Sequence, residues 1–176
     1  MKETVTAPER SNVFLSIGSN TDNRHHNLEV ALSELEAHPR ISVLTVSQLY
    51  ETEPLYNRLQ PDFLNCAVRI ATDLMPHRLL VECQKLERYM GRRPASRKNE
   101  PRIVDIDIIF YGDLVIESMN LRVPHRQYSE RRFVLTPLND IAPDFVCPDS
   151  GETVRMTFQK CPDSSRVEPY ARPDRM

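Results

Sequence analysis

The chain has 176 residues, of which 40% are hydrophobic and 27% charged, with a formal net charge of -2. That length predicts one domain, able to bury a core without covalent staples, and that charge excludes a nucleic-acid binder that works by net charge alone. The 14 prolines against 4 glycines predict stiff loops rather than flexible linkers. The start, MKETVTAPERSN, has no basic head followed by an apolar run, and no apolar stretch reaches the length of a membrane span. Cys66, Cys83, Cys147 and Cys161 form no CxxC pair and read as small core residues of a reduced, cytoplasmic protein.

In chain order, Val13 to Ile17 reads as a short buried strand, broken by Gly18-Ser19-Asn20. Leu28, Ala31, Leu32 and Leu35 follow at helix spacing, with Asp22 or Asn23 as the cap. Ile41 to Glu51 reads as one strand, and Thr52 to Asp62, with Pro54 and Pro61, as a loop. Phe63 to Thr72 alternates as a strand should. Pro76 opens a second helix with Leu79, Leu80, Cys83 and Leu86 on one stripe, closed by Gly91. Arg92 to Arg102 is a basic loop, and Ile103 to Tyr111 a further strand.

This order, βαββαβ, predicts an α+β fold with a ferredoxin-like core. Helices lie on one face of an antiparallel sheet, and the other face is covered or used for binding. Short helices are expected at Tyr128 to Leu135 and Glu152 to Lys160, after long loops. The expected core spans about residues 12–160, with a disordered tail over about 161–176 and no fused second enzyme.

The strongest chemical signal is Pro101-Arg102-Ile103-Val104-Asp105-Ile106-Asp107-Ile108-Ile109-Phe110-Tyr111-Gly112. On a strand, Val104, Ile106, Ile108 and Phe110 share one face and Asp105 and Asp107 the other. Two carboxylates side by side repel, and a cation between them removes the conflict. Few protein oxygens plus water and phosphate suit Mg²⁺; two solvated acids on an exposed face are the plain alternative. Arg92, Arg93, Arg97, Lys98 and Arg102 precede the strand, and Arg122, His125, Arg126, Arg131 and Arg132 follow it. Arginine forks beside metal-holding acids are the parts of a phosphoryl-transfer site, whereas any one of them taken alone reads as a solvated charge. Phe63 and Asn65 offer a ring to stack and an amide to pair, as a flat heterocycle requires. Gly18-Ser19-Asn20 lacks the spacing and lysine of a P-loop.

Six stretches occur in order: FLSIGSN, YETEPL followed by QPDFLNCAV, LERYMGR, PRIVDIDIIFYG, VPHRQYSERRFVLTPL and IAPDFVCPDSG. Together they resemble the 6-hydroxymethyl-7,8-dihydropterin pyrophosphokinase family of folate biosynthesis. The resemblance implies transfer of pyrophosphate from ATP to the pterin hydroxymethyl group, with release of AMP. It implies two Mg²⁺ ions on Asp105 and Asp107, and a pterin site of Thr52, Leu55, Phe63, Asn65 and Phe133. Around the nucleotide and its phosphates it points to Gln84, Glu87, Arg92, Arg102, His125 and Arg131. It implies that Arg92, Arg102, Asp107 and His125 carry the chemistry, with Asp107 or a metal-bound group to take the proton. The partners implied are these small molecules, not nucleic acid or membrane, and a monomer is favoured. The chain departs from the family pattern at Asn99-Glu100, where Trp-Gly is common, and at Pro94, where Arg is common.

Overall fold

Alternation of apolar residues sets the two central strands. Val13, Leu15 and Ile17 of β1 (Ser11–Ser19) and Leu64, Cys66, Val68 and Ile70 of β4 (Phe63–Thr72) are fully buried on one face. The strands pair antiparallel from Ser11 opposite Thr72 to Ser19 opposite Leu64. The structure is a computed structural model that describes residues 10–55, 59–92 and 101–171.

Two helices close that face. In α1 (Arg24–Ala37) Asn23, rather than Asp22, is the cap: its side chain accepts from the His26 amide at 3.1 Å. Leu28, Ala31 and Leu35 then point inward at helical spacing. In α2 (Pro76–Tyr89) the proline sits in the first turn, where its missing N–H costs nothing, and Gly91 ends the helix region at φ 101°. Leu79 and Cys83 join the same core as α1.

The strand expected over Ile41 to Glu51 is two strands, β2 (Ile41–Val46) and β3 (Tyr50–Thr52), both beside β4. The ladder shifts register between Val43 and Thr45. Ser47 then occupies the gap, its amide donating to Ala67 O and its hydroxyl accepting from Ala67 N, each at 2.9 Å. Thr52 therefore ends a strand rather than opening a loop. With β5 (Asp105–Tyr111) the sheet order is β5-β1-β4-β3, β2 pairing β4. Counting β2 and β3 as one edge, this antiparallel order is ferredoxin-like, as the sequence predicts.

The other sheet face is half covered. A bulge in the β1–β5 ladder falls between Phe14 and Leu15. One extra residue reverses the alternation beyond it, so Phe110 does not continue the face of Val104, Ile106 and Ile108. It packs instead on the opposite side with Phe14, Ala67 and Ile109. Tyr128 meets it edge-on at 4.9 Å between ring centroids. The helix expected at Tyr128 to Leu135 is a 3₁₀ turn (Tyr128–Glu130) followed by α3 (Arg132–Ile141), which runs on through Pro137. Val134, Leu135 and Leu138 of α3 cover this half of the sheet. A short hairpin, β6 (Ile116–Glu117) with β7 (Arg122–Val123), and α4 (Val154–Gln159) complete the middle of the chain.

The tail is a further correction. Residues 161–171 are described, and β8 (Val167–Pro169) adds an edge strand to β3, Tyr50 facing Pro169 and Thr52 facing Val167. The Tyr170 amide donates to Leu49 O at 2.8 Å, and its side chain packs on the first core. A polar, proline-containing sequence reads as unstructured by itself; the free edge of β3 supplies the backbone partners that order it.

Candidate active site

Past the cover of α3, the same sheet face lies open. Gly18 stands between Asp105 and Asn65 across three strands, and Ser16 between Asp107 and Ala67. The period of two thus puts both acids on the uncovered half-face, as their spacing predicts. They are not left to repel each other. Asp105 Oδ1 is 2.9 Å from Arg92 Nη1 and Asp105 Oδ2 is 2.6 Å from Arg102 Nη1. Arg92 also pairs with Glu87, whose Oε1 accepts from the Ile106 amide at 2.8 Å. Burial raises the Glu87 carboxyl above the ordinary range, while the Ile106 amide and Arg92 pull it down.

Asp107 makes no side-chain hydrogen bond or ion pair among the described residues. Burial first, and the Asp105 charge second, push its carboxyl up, against the pull of Arg131, Arg102 and Arg92. His125 follows a cis Val123–Pro124 peptide, and its amide donates to Ile109 O at 3.0 Å. Its Nδ1 accepts from the Gln127 amide at 3.3 Å, which assigns the proton of the neutral ring to Nε2. Burial, then the Arg131 charge, hold the ring down at a pKa of about 4, so it is neutral near pH 7. Arg131 Nη2 donates to Gln127 Oε1 at 2.5 Å, and its guanidinium lies 5.7 Å from the centre of the Phe133 ring.

The opposite wall is built on β3 and β4. Thr52 and Phe63 are register partners. The Asn65 amide nitrogen donates to Thr52 Oγ1 at 2.7 Å, deep in the structure. A Cβ on Gly18 would stand 2.3 Å from Asn65 Oδ1, so glycine is the residue that lets the amide lie across the sheet. Gly18 was legible in sequence only as a strand breaker. Asn20, 1% exposed, is likewise more than a break. It accepts from the Arg102 amide at 2.7 Å, donates its own amide to Arg102 O at 3.1 Å, and donates its side chain to Gln60 Oε1 at 2.9 Å. A polar residue directly after a buried strand was the signal available.

One cavity of about 390 Å³ unites these groups, a size suited to small ligands. Thr52, Leu55, Phe63, Asn65, Phe133, Gln84, Glu87, Arg92, Arg102, Asp105, Asp107, His125 and Arg131 all line it, as do Ser16, Gly18, Glu53 and Gln60. Arg93, Arg97 and Lys98, with Pro94 and Asn99-Glu100, lie outside the described residues; Arg122, Arg126 and Arg132 do not line the cavity. Among the described residues no group of three or more His, Cys, Asp or Glu converges, so these residues offer no closed metal cage. Two adjacent carboxylates, one without a hydrogen-bond partner among the described residues, do fit a hard divalent cation whose other ligands are water and phosphate. No helix among the described residues is long and apolar enough to cross a membrane.

Fold and cavity together define a ferredoxin-like protein with acids and arginines converging on the open half of its sheet. The family model described as 7,8-dihydro-6-hydroxymethylpterin-pyrophosphokinase matches residues 14–143, and the chain belongs to that family. It is 41% identical over 155 residues to 2-amino-4-hydroxy-6-hydroxymethyldihydropteridine pyrophosphokinase of Methylorubrum extorquens, covering 88% of this chain and 96% of that protein. It is 36% identical to the protein of the same name from Haemophilus influenzae, over 78% of this chain and 85% of that protein. Folic acid synthesis protein fol1 of Schizosaccharomyces pombe is 43% identical over 85% of this chain, but the chain spans only 20% of its length. A solved structure titled Plasmodium falciparum HPPK-DHPS wild type with pteroate superposes with a TM-score of 0.71 over 88% of this chain and 43% of that one. At 17% identity that likeness concerns the fold.

Proposed function

We propose that the chain transfers the β,γ-pyrophosphoryl group of ATP to the hydroxymethyl oxygen of 6-hydroxymethyl-7,8-dihydropterin. The pterin oxygen bonds to the β-phosphorus, the bond from that phosphorus to the oxygen bridging to the α-phosphorus breaks, and AMP leaves. Family membership supports the substrates. The single observation that carries the chemistry is the placement of Asp105 and Asp107 with Arg92 and Arg102 on one wall, facing Asn65, Thr52 and Phe63 on the other.

Asp105 and Asp107 would hold Mg²⁺, which when bound neutralises phosphate charge and orients the transferring group. Arg92 and Arg102 each neutralise one oxygen of Asp105. With nucleotide present, the guanidiniums turn to phosphate oxygens, for which their forks are equally suited. Neutral His125 presents its Nε2–H as a further donor, with no charge to expel from a buried position. Glu87 holds Arg92 beside the site while Arg92 changes partner. Asn65 and Thr52 pair with the edge of the pterin, and Phe63, Leu55 and Phe133 enclose its faces.

We assign Asp107 to the cation rather than to the proton. A carboxylate engaged by a divalent cation is a weak base, and a loose phosphoryl transfer loses the hydroxyl proton late, here to solvent water. Positioning and charge neutralisation then supply most of the rate. Incubation with ATP, Mg²⁺ and the pterin alcohol, following AMP, tests the reading. Wild type should release AMP only when the pterin is present, and Arg102→Ala should lower kcat/KM by at least ~10²-fold. Pterin-independent AMP, or wild-type kinetics in the variant, would sink it.

A further inference from the structure

Beyond α4 the chain doubles back over both walls of the cavity. Asp163 Oδ2 accepts from the Arg132 amide at 2.9 Å, at the first turn of α3, next to Arg131 and Phe133. Three residues on, the Arg166 amide donates to Glu53 Oε1 at 3.0 Å and Arg166 O accepts from the Glu53 amide at 3.3 Å. The Arg166 guanidinium pairs with Asp62. Glu53 and Asp62 are the two ends of the loop that carries Leu55 and Gln60 into the cavity. β8 then continues along β3, and Tyr170 docks beside α1, its ring 6.1 Å from that of His25.

One segment thus grips the Phe133 side through Asp163 and brackets the Leu55 side through Arg166. The Glu53-to-Asp62 loop is long and proline-bearing, and a single segment, residues 163–166, links both of its ends to α3. The Asp62 end is also held by Asn20, which donates to Gln60 Oε1 at 2.9 Å, and by Arg24, whose Nη1 donates to Asp62 O at 2.8 Å.

We propose that Asp163 and Arg166 are positioning residues that set the width of the pterin slot by tying both of its walls to the C-terminal strand. They touch no substrate. They act through Phe133 and Leu55, and among the described residues they make no contact with the nucleotide groups on α2 and β5. The proposal rests on the reading of the pterin site given above.

The test is steady-state kinetics on the full chain with each substrate varied in turn. Arg166→Met keeps the aliphatic stem and removes the fork. The KM for the pterin should rise about three- to tenfold, the scale of losing order in one or two loop side chains. The KM for ATP and kcat should stay within about twofold. Asp163→Ala should do the same, while Asp163→Asn, which keeps an acceptor for the Arg132 amide, should restore most of the loss. Asp62→Asn added to Arg166→Met should bring little further change, because both remove one link. Glu152→Gln, which removes only the pairing with Lys160, should resemble wild type. Equal rises in both KM values, or an unchanged pterin KM in Arg166→Met, would overturn the proposal while leaving the reaction intact. Absence of AMP formation by wild type would remove the pyrophosphokinase reading and this proposal together.

Discussion

Gly18 and Asn65 show how finely single residues set the site. The missing Cβ of Gly18 is what lets the Asn65 amide cross the sheet towards Thr52. In Gly18→Ala the new methyl group meets a short, buried, hydrogen-bonded side chain, so Asn65 has to swing away and lose Thr52. Overpacking of this kind costs about 1–3 kcal/mol. Denaturant melts should show that loss, and the pterin KM should rise while the ATP KM stays. His125 offers a second residue-scale test. Its pKa is about 4 in the folded chain against roughly 6.5 when unfolded. The unfolded state therefore binds the extra proton first as pH falls. The contribution of neutral His125 is complete above pH 6.5 and is lost as pH falls from 6.5 through 4, by at most about 1.4 kcal/mol per pH unit. His125→Gln should flatten the acid limb of a stability-against-pH curve in that window, and a limb unchanged from wild type would refute the buried neutral ring.

At the scale of elements, β3 is the joint that connects sheet, helix and tail. Three residues long, it pairs with β4 and β8, and Tyr50 donates its hydroxyl to Asp140 of α3 at 2.8 Å. Tyr50→Phe keeps the ring and removes that link. The expected loss is about 1 kcal/mol of unfolding free energy, seen as an earlier chemical-denaturation midpoint with unchanged m value. The strands and two long helices of the core were legible because their periods of two and 3.6 are local patterns. The break between β2 and β3 was not: Ile41 to Glu51 is strand-like throughout, and the step at Ser47 depends on its partner Ala67 on β4. Phe110 illustrates the same limit. Alternation assigned it to the helix face, and one bulged residue opposite Phe14 reversed it.

Across the whole molecule, folding, cation and nucleotide are linked through Asp105. Repulsion between two adjacent carboxylates, taken alone, predicts that Asp105→Asn leaves the ligand-free fold as stable as before or slightly more so. The structure reverses that expectation, because Arg92 and Arg102 already neutralise Asp105. Asp105→Asn should unfold more easily without ligand, by about 1–2 kcal/mol, the worth of partly exposed charge-assisted hydrogen bonds. Under the proposed function, Mg²⁺ with a non-hydrolysable ATP analogue should raise the melting temperature of wild type, because ligand stabilises the state that binds it. The variant should lose most of that rise. Thermal melts of both proteins with and without ligand check the two claims separately. A variant that melts with wild type when empty contradicts the arginine clamp, and one that keeps the full ligand-induced rise contradicts the metal site.

The sequence by itself determined the ferredoxin-like order, the acid pair on a single strand face, and a set of candidate residues that one cavity gathers. Each follows from short-range periodicity or from an ordered run of motifs, and both survive in one dimension. Only the tertiary structure decided that Asp105 is clamped by two arginines, that His125 is held neutral by burial and Arg131, that Gly18 is a seat for Asn65, and that Val167–Pro169 form a strand. These depend on groups brought together from distant points of the chain. Local propensity carries no record of such partners, and desolvation exists only once they are in place.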